Sequence, residues 1–240
     1  PRRWKRMTSS LAKRRRLICA QVSSAIVVLG FLLHISPAAY GQAPWPHEDP
    51  EAWGLAIIDV ETTGLDPQFH EVIDIGAIYT TLDGNELGRF FVRIHPDHPE
   101  RAGEVARSIN GYDEARWDVL EALAPDAAVA AFAAFHEQHA TDRRFILTAY
   151  NAPFDRNFIE ALFKRHDQAL SDWYTYFVLD LPSMAYGLGV DALVNGDVAK
   201  AFGLPPETDD PLKHTGLTGA SWNLALYRAM LKRVPDAKRQ

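Results

Sequence analysis

The feature that most constrains this chain is an apolar run, residues 53–60, that ends on two acids, Asp59 and Glu61, separated by Val60. A continuous apolar segment of this length reads as a strand buried on both faces, the kind that occupies the centre of a sheet. Side chains two apart on a strand share a face. Positions 59 and 61 therefore set two carboxylates side by side at the strand end. Two such charges repel and lose hydration; a hard divalent cation removes that penalty, and oxygen ligands suit Mg²⁺ or Mn²⁺. Taken alone, Asp-x-Glu at a strand end is more often two solvated acids, so the pattern needs companions.

The segments that follow are the elements of an α/β domain. Residues 72–81 and 86–94 flank Asp83-Gly84-Asn85, a hairpin signal. Residues 126–140 are alanine-rich and read as a helix. Residues 145–150 form a short apolar strand, and 153–166 show helical periodicity behind a proline in the first turn. A brief strand at 177–179 precedes two further helices, 190–202 and 219–232, with Leu204-Pro205-Pro206 breaking the chain between them. A hairpin feeding a mixed sheet, with helices after it, gives an α/β architecture.

Charge divides the chain unevenly. The net charge is −6, yet every charge in the first 46 residues is basic: Arg2, Arg3, Lys5, Arg6, Lys13, Arg14, Arg15 and Arg16. Taking those eight from the 25 Lys and Arg leaves 17 against 31 Asp and Glu in the remainder. So acidic a domain has little electrostatic reason to grip long duplex DNA, because phosphate neutralisation needs clustered cations. A short single strand, held through metal ions and stacking, is still within its reach. The basic start is followed by a mostly apolar segment, 17–35, and then small residues around Ala39-Tyr40-Gly41. That order is that of a secretory signal peptide or membrane anchor over residues 1–43, and it leads us to expect an exported or membrane-anchored protein. A cytoplasmic location is the alternative if the true start lies further on, at Met7 or later. Residues 44–50, rich in proline, read as a linker, 51–234 as the folded domain and 235–240 as a tail. The single cysteine, Cys19, excludes an intramolecular disulfide.

Companions to Asp59 and Glu61 lie further along. Asn151-Ala152-Pro153-Phe154-Asp155 follows the 145–150 strand and puts Asp155 in the first turn of the next helix. Ligands collect beyond strand ends in open α/β sheets. Lys213-His214-Thr215-Gly216 then precedes the last helix. In this order, Asp59-Val60-Glu61-Thr62-Thr63-Gly64, Ile73-Asp74-Ile75-Gly76-Ala77, Ile109-Asn110-Gly111-Tyr112, Asn151, Phe154, Asp155 and His214 resemble the DEDDh family of 3′-to-5′ exonucleases. That family includes polymerase proofreading subunits, ribonuclease T and oligoribonuclease. The resemblance covers nearly all of residues 51–234 and implies a ribonuclease-H-like mixed sheet flanked by helices. It further implies two divalent ions, Mg²⁺ or Mn²⁺, that straddle the scissile phosphate. By resemblance Asp59 bridges both ions, Glu61 holds one and Asp155 serves the other, while His214 acts as general base. Thr62, Thr63 and Leu65, with Asn151 and Phe154, are then the residues that meet the terminal nucleotide.

One position departs from the family pattern: Gly219 stands where a fourth carboxylate belongs. No acid lies between His214 and Asp236, and Asp209 and Asp210 sit in a proline-bounded loop ahead of His214, poorly placed to replace it. Loss of one ligand leads us to expect a metal-dependent exonuclease of reduced activity on short single-stranded nucleic acid. The alternative is a catalytically degenerate domain that binds nucleotide or oligonucleotide. Two other histidine clusters carry less. His95-Pro96-Asp97-His98 reads as a surface loop. His136-Glu137-Gln138-His139 has its histidines three apart, where the zincin motif needs four, and reads as an exposed helix face.

Overall fold

The computed structural model describes residues 44–234; the basic and apolar segment 1–43 and the tail 235–240 lie outside the described residues, and the expected signal or anchor with them. Among the described residues no helix is long and apolar enough to cross a membrane.

Five strands form one mixed sheet in the order β3-β2-β1-β4-β5. They are β1 (Trp53–Thr62), β2 (Val72–Thr81), β3 (Glu86–Arg93), β4 (Arg144–Ala149) and β5 (Tyr174–Asp180). β1 to β3 are antiparallel neighbours, whereas β4 and β5 join β1 in parallel. The sheet and its flanking helices have the ribonuclease-H-like architecture expected from the sequence. Central β1 is covered on both faces, which explains its unbroken apolar run. Ala56, Ile58 and Val60 face the layer of α3 (Pro125–His139) and α4 (Ala152–Arg165), where Phe132, Phe158 and Phe163 fill the core. Leu55 and Ile57 face the layer of α5 (Leu181–Gly187), α6 (Asn195–Phe202) and α7 (Gly216–Leu231), packed with Leu181, Val198 and Leu226.

Several boundaries differ from the sequence expectation, each for a local reason. The 190–202 helix is shorter and starts at Asn195; a separate helix, α5, comes before it, and Gly189, at φ +83°, turns the chain between the two. The last helix begins at Gly216 rather than 219, because Thr215 and Thr218 close a capping box there despite the two glycines. β5 runs for seven residues; at the sheet edge it leaves Tyr176 and Phe177 exposed, so it lacks the apolar density of a central strand. Ile94 makes only an isolated bridge to Leu123, beyond the end of β3. Two short helices, α1 (Glu104–Asn110) and α2 (Glu114–Val119), lie between β3 and α3.

The histidine pair on α3 requires a correction. His136 is buried, not exposed, because it continues the stripe of Val129 and Phe132 at helical spacing. Its ring stacks on Trp173 at 4.7 Å, and its Nδ1 lies 2.8 Å from the Tyr79 hydroxyl, which in turn meets the Tyr174 hydroxyl at 2.6 Å. Burial holds the imidazole pKa down to about 4, with the neighbouring His139 adding to the effect.

The folded state therefore binds fewer protons at His136 than the unfolded chain between pH 6.5 and about 4, and stability falls as pH drops through that window. His136→Phe removes this titration. Urea denaturation of both proteins should show the native chain losing about 2 kcal/mol relative to the variant between pH 7.5 and 5. Parallel pH profiles would show that His136 is not held neutral by the fold.

Candidate active site

The site forms where β1 outlasts its parallel neighbour. The β1–β4 pairing ends at Ile57 and Thr148, and β4 itself ends at Ala149, while β1 continues to Thr62. Its backbone N–H at Val60 would be left without a strand partner. Asn151, in the left-handed region at φ 64°, turns the chain into α4, and Asp155 in the first turn of that helix supplies the acceptor: its Oδ1 takes the Val60 N–H at 3.0 Å. Asp155 is thereby buried at the same strand end as Asp59, and its negative charge adds to burial in raising the Asp59 pKa.

The opposite wall is α7, which sits directly on the sheet. A β-carbon on Gly76 of β2 would fall on the backbone of Gly216 and Leu217, and one on Gly216 would fall on the Asp59 carbonyl. Two glycines facing each other thus permit backbone-to-backbone approach. Asp74, across from Glu61 on β2, fastens it by accepting the Gly216 N–H at 2.8 Å. This places His214, just ahead of the helix, against Glu61: His214 Nε2 donates to Glu61 Oε1 at 3.0 Å, and Nδ1 donates to the Thr208 carbonyl at 2.8 Å. With both ring nitrogens donating, the imidazolium is favoured. The Glu61 hydrogen bond is the main cause that pushes the His214 pKa up to about 9, helped by the Thr208 carbonyl and the Glu207 charge and opposed by burial.

Carboxylates crowd this end of the sheet. Burial raises the Asp59 pKa well above the usual carboxylate range, and Asp155, Glu207, Glu61 and Asp74 raise it further. Burial likewise raises Asp155, against the help of the Val60 N–H, and lifts Asp74 to about 8. Among the described residues no three His, Cys, Asp or Glu side chains converge as a ready-made coordination cage; His214 and the acids instead make pairwise contacts. The donor set nevertheless fits a hard divalent cation, being all oxygen apart from one imidazole. Two buried carboxylate oxygens, Asp74 Oδ2 and Glu207 Oε1, have no hydrogen-bond partner, and such orphaned acceptors gain most from a positive charge. Glu207 was not marked by any sequence motif; it stands in the loop between α6 and α7, seven residues ahead of His214.

A pocket of about 500 Å³ opens onto Glu61. It is lined by Val60, Thr62, Gly64, Leu65 and His70, by Val105, Ala106, Ile109 and Asn110 of α1, and by Phe154. Thr62, Leu65 and Phe154 line this pocket. Thr63 and Asn151 do not line it. Thr63, just beyond β1, is fully buried, its N–H donating to the Glu71 carbonyl at 2.8 Å and its Oγ1 accepting the Glu71 N–H at 2.9 Å. Asn151 is exposed at the turn into α4, where its role is the left-handed backbone. The α1 wall was missed as a wall, although Ile109-Asn110-Gly111-Tyr112 signals it. Asn110 Nδ2 donates to the Thr62 carbonyl at 3.0 Å, and left-handed Gly111 ends the helix.

Comparison with known proteins agrees with this geometry. The RNase_T exonuclease family matches residues 56–226. The chain is 27% identical over 190 residues to ribonuclease T of Actinobacillus pleuropneumoniae, covering 75% of this chain and 84% of that one. It is 29% identical over 191 residues to ribonuclease T of Haemophilus ducreyi, covering 75% and 86% respectively. Among solved structures, a zinc-bound complex of E. coli ExoI with single-stranded DNA superposes with a TM-score of 0.61 at 16% identity. That match covers 78% of this chain and 42% of the larger ExoI chain. The chain belongs to the exonuclease family of DEDDh type.

The His214–Glu61 pair gives a direct check. In protein freed of divalent ions by chelation, NMR titration of His214 should give a pKa near 9. Glu61→Gln should lower it, because the first and largest cause of the elevation is gone. A titration unchanged by Glu61→Gln would show that another group holds the proton.

Proposed function

We propose that this chain is a metal-dependent 3′-to-5′ exonuclease acting on short single-stranded nucleic acid, with two Mg²⁺ or Mn²⁺ ions. The observation that carries the proposal is the apolar pocket lined in part by Glu61, whose carboxylate pairs with His214 and adds, with Asp155, to the negative charge around Asp59. The exposed Leu65, Val105 and Ile109 offer faces on which a terminal base can stack. A walled pocket of this size suits one terminal nucleotide rather than the middle of a strand. The scissile phosphate then lies over the acids. The names of the relatives support a nuclease on single strands, and the acidic surface of the domain favours short substrates over duplex.

Asp59, Glu61 and Asp155 would hold the ions, which when bound stabilise charge on the phosphate and lower the pKa of water. The residues of the chain do the remainder. Asp59, which feels the charges of both Asp155 and Glu61, would serve both ions, as the family resemblance implies. The Thr208 carbonyl keeps the proton on His214 Nδ1, so Nε2 is the nitrogen that takes a proton from water when Glu61 is engaged elsewhere. Water oxygen bonds to phosphorus as the bond to the 3′ oxygen breaks. The products are a nucleoside 5′-monophosphate and a strand shortened by one residue with a free 3′ hydroxyl.

End-labelled oligonucleotides of about ten residues test the proposal. The full chain should release mononucleotides progressively from the 3′ end with Mg²⁺ or Mn²⁺. Chelator should stop it, and Asp59→Ala should cost at least about a hundredfold in rate. Cleavage from the 5′ end, or an Asp59→Ala rate equal to that of the native chain, would overturn it. Binding of the oligonucleotide without cleavage by either metal would instead favour the degenerate binding domain, the reading that Gly219 supports.

A further inference from the structure

We infer that Glu207 supplies the fourth carboxylate, reaching from the α6–α7 loop into the space that Gly219 leaves on α7. This inference rests on the exonuclease reading and completes its ligand set. A β-carbon built on buried Gly219 would fall on Asp59 Oδ2 and lie 2.9 Å from Glu207 Oε1. The two oxygens flank the site of a single absent carbon atom, so the room that an aspartate at 219 needs is already taken. Glu207 Oε1 is buried without a hydrogen-bond partner, next to Asp59. A buried acceptor left without a donor is unfavourable, the more so beside other carboxylates. It is retained where a cation, shared with Asp59 and Glu61, satisfies it.

The loop is built to hold that carboxylate in place. Asn195 at the start of α6 donates through Nδ2 to Glu207 Oε2 and accepts the Glu207 N–H through Oδ1, both at 3.4 Å. Trp222 Nε1 on α7 donates to the Pro205 carbonyl at 2.8 Å, and His214 Nδ1 donates to the Thr208 carbonyl at 2.8 Å. One oxygen of Glu207 is thus oriented by Asn195 while the other points inward, and the same loop fixes His214. Asp210, the nearby alternative, is engaged elsewhere: it pairs with Lys213 at 2.9 Å and accepts the Leu212 N–H. Asp209 is exposed. On this view Gly219 is a companion of Glu207, because any side chain at 219 displaces either Asp59 or Glu207.

Manganese binding to the full chain, read by the loss of free Mn²⁺ signal in electron paramagnetic resonance, tests this apart from turnover. Glu207→Gln keeps the size and the Asn195 contact while removing the charge. It should weaken Mn²⁺ binding by about tenfold or more, lowering cleavage in proportion, with the melting temperature in chelator unchanged or raised. Glu207→Asp, which keeps the charge one carbon short, should fall between the two, and Asp209→Asn should match the native chain. Gly219→Asp in the native background should bring no gain in Mn²⁺ affinity. If Glu207→Gln binds Mn²⁺ like the native chain while Asp59→Ala does not, Glu207 is no ligand and the exonuclease reading stands without it. If the native chain binds no Mn²⁺ and cleaves nothing, that reading fails and this inference with it.

Discussion

The site depends on the contact between the first turn of α7 and the sheet. Gly76 and Gly216 meet with no side chain between them, and Asp74 ties the Gly216 N–H to β2. A helix ordinarily packs on a sheet through side-chain layers about 10 Å thick. Removing that layer at one point lets the backbone of α7 lie against β1 at Asp59. His214, Gly219 and the loop ahead of the helix all take their positions from this approach. Alanine at either glycine would set a β-carbon on a backbone atom, which no rotamer change relieves.

What this contact assembles is unfavourable in isolation. Asp59, Asp155, Asp74 and Glu207 are each raised in pKa with burial as the leading cause, and their mutual repulsion adds to it. A group whose folded pKa is raised contributes stability at low pH that is lost as pH rises through that value. These acids therefore act against folding near neutrality, opposite in sign to His136, and the hydrophobic layers of α3–α4 and α5–α7 must outweigh them. Divalent ions held as proposed would reverse the balance, since binding only to the folded state adds directly to stability. The chain thus concentrates at one strand end an electrostatic strain that its expected ligands relieve.

The legible parts of the sequence were those whose signal is local. The β1 run ending on Asp59 and Glu61, the Asp83-Gly84-Asn85 hairpin and the proline-led α4 with Asp155 each state their structure within a few residues. The resemblance then tied them to His214 in order. The parts that were not legible depend on tertiary partners. Thr63 sits among motif residues, but its side chain faces Glu71 rather than the pocket. His136 carries a polar name in a buried stripe and becomes acceptable only because Tyr79 and Tyr174 come to it from two strands. The α5–α6 division turned on Gly189, whose backbone angle no composition rule reveals.

Glu207 shows the same limit at the site itself. Read along α7, Gly219 is a missing ligand, because a motif assigns each carboxylate to a fixed position on a fixed element. A metal ion imposes no such requirement: it needs an oxygen at the right point in space, from whichever segment can bring one there. A glutamate on a loop has a longer reach than an aspartate on a helix but more freedom to lose on binding. Asn195, Trp222 and His214 restrict the loop at three points, so much of that freedom is removed in the folded protein before any ion arrives. An acid moved from a rigid helix to a loop keeps its function only if the loop is fixed in this way. Pro205 and Pro206, which mark a simple break between helices in the sequence, also limit the backbone on the approach to Glu207. On the proposed assignment, Gly219 and the anchoring of residues 205–208 would be two sides of one physical arrangement, in which the charge stays at the site while its place in the chain changes.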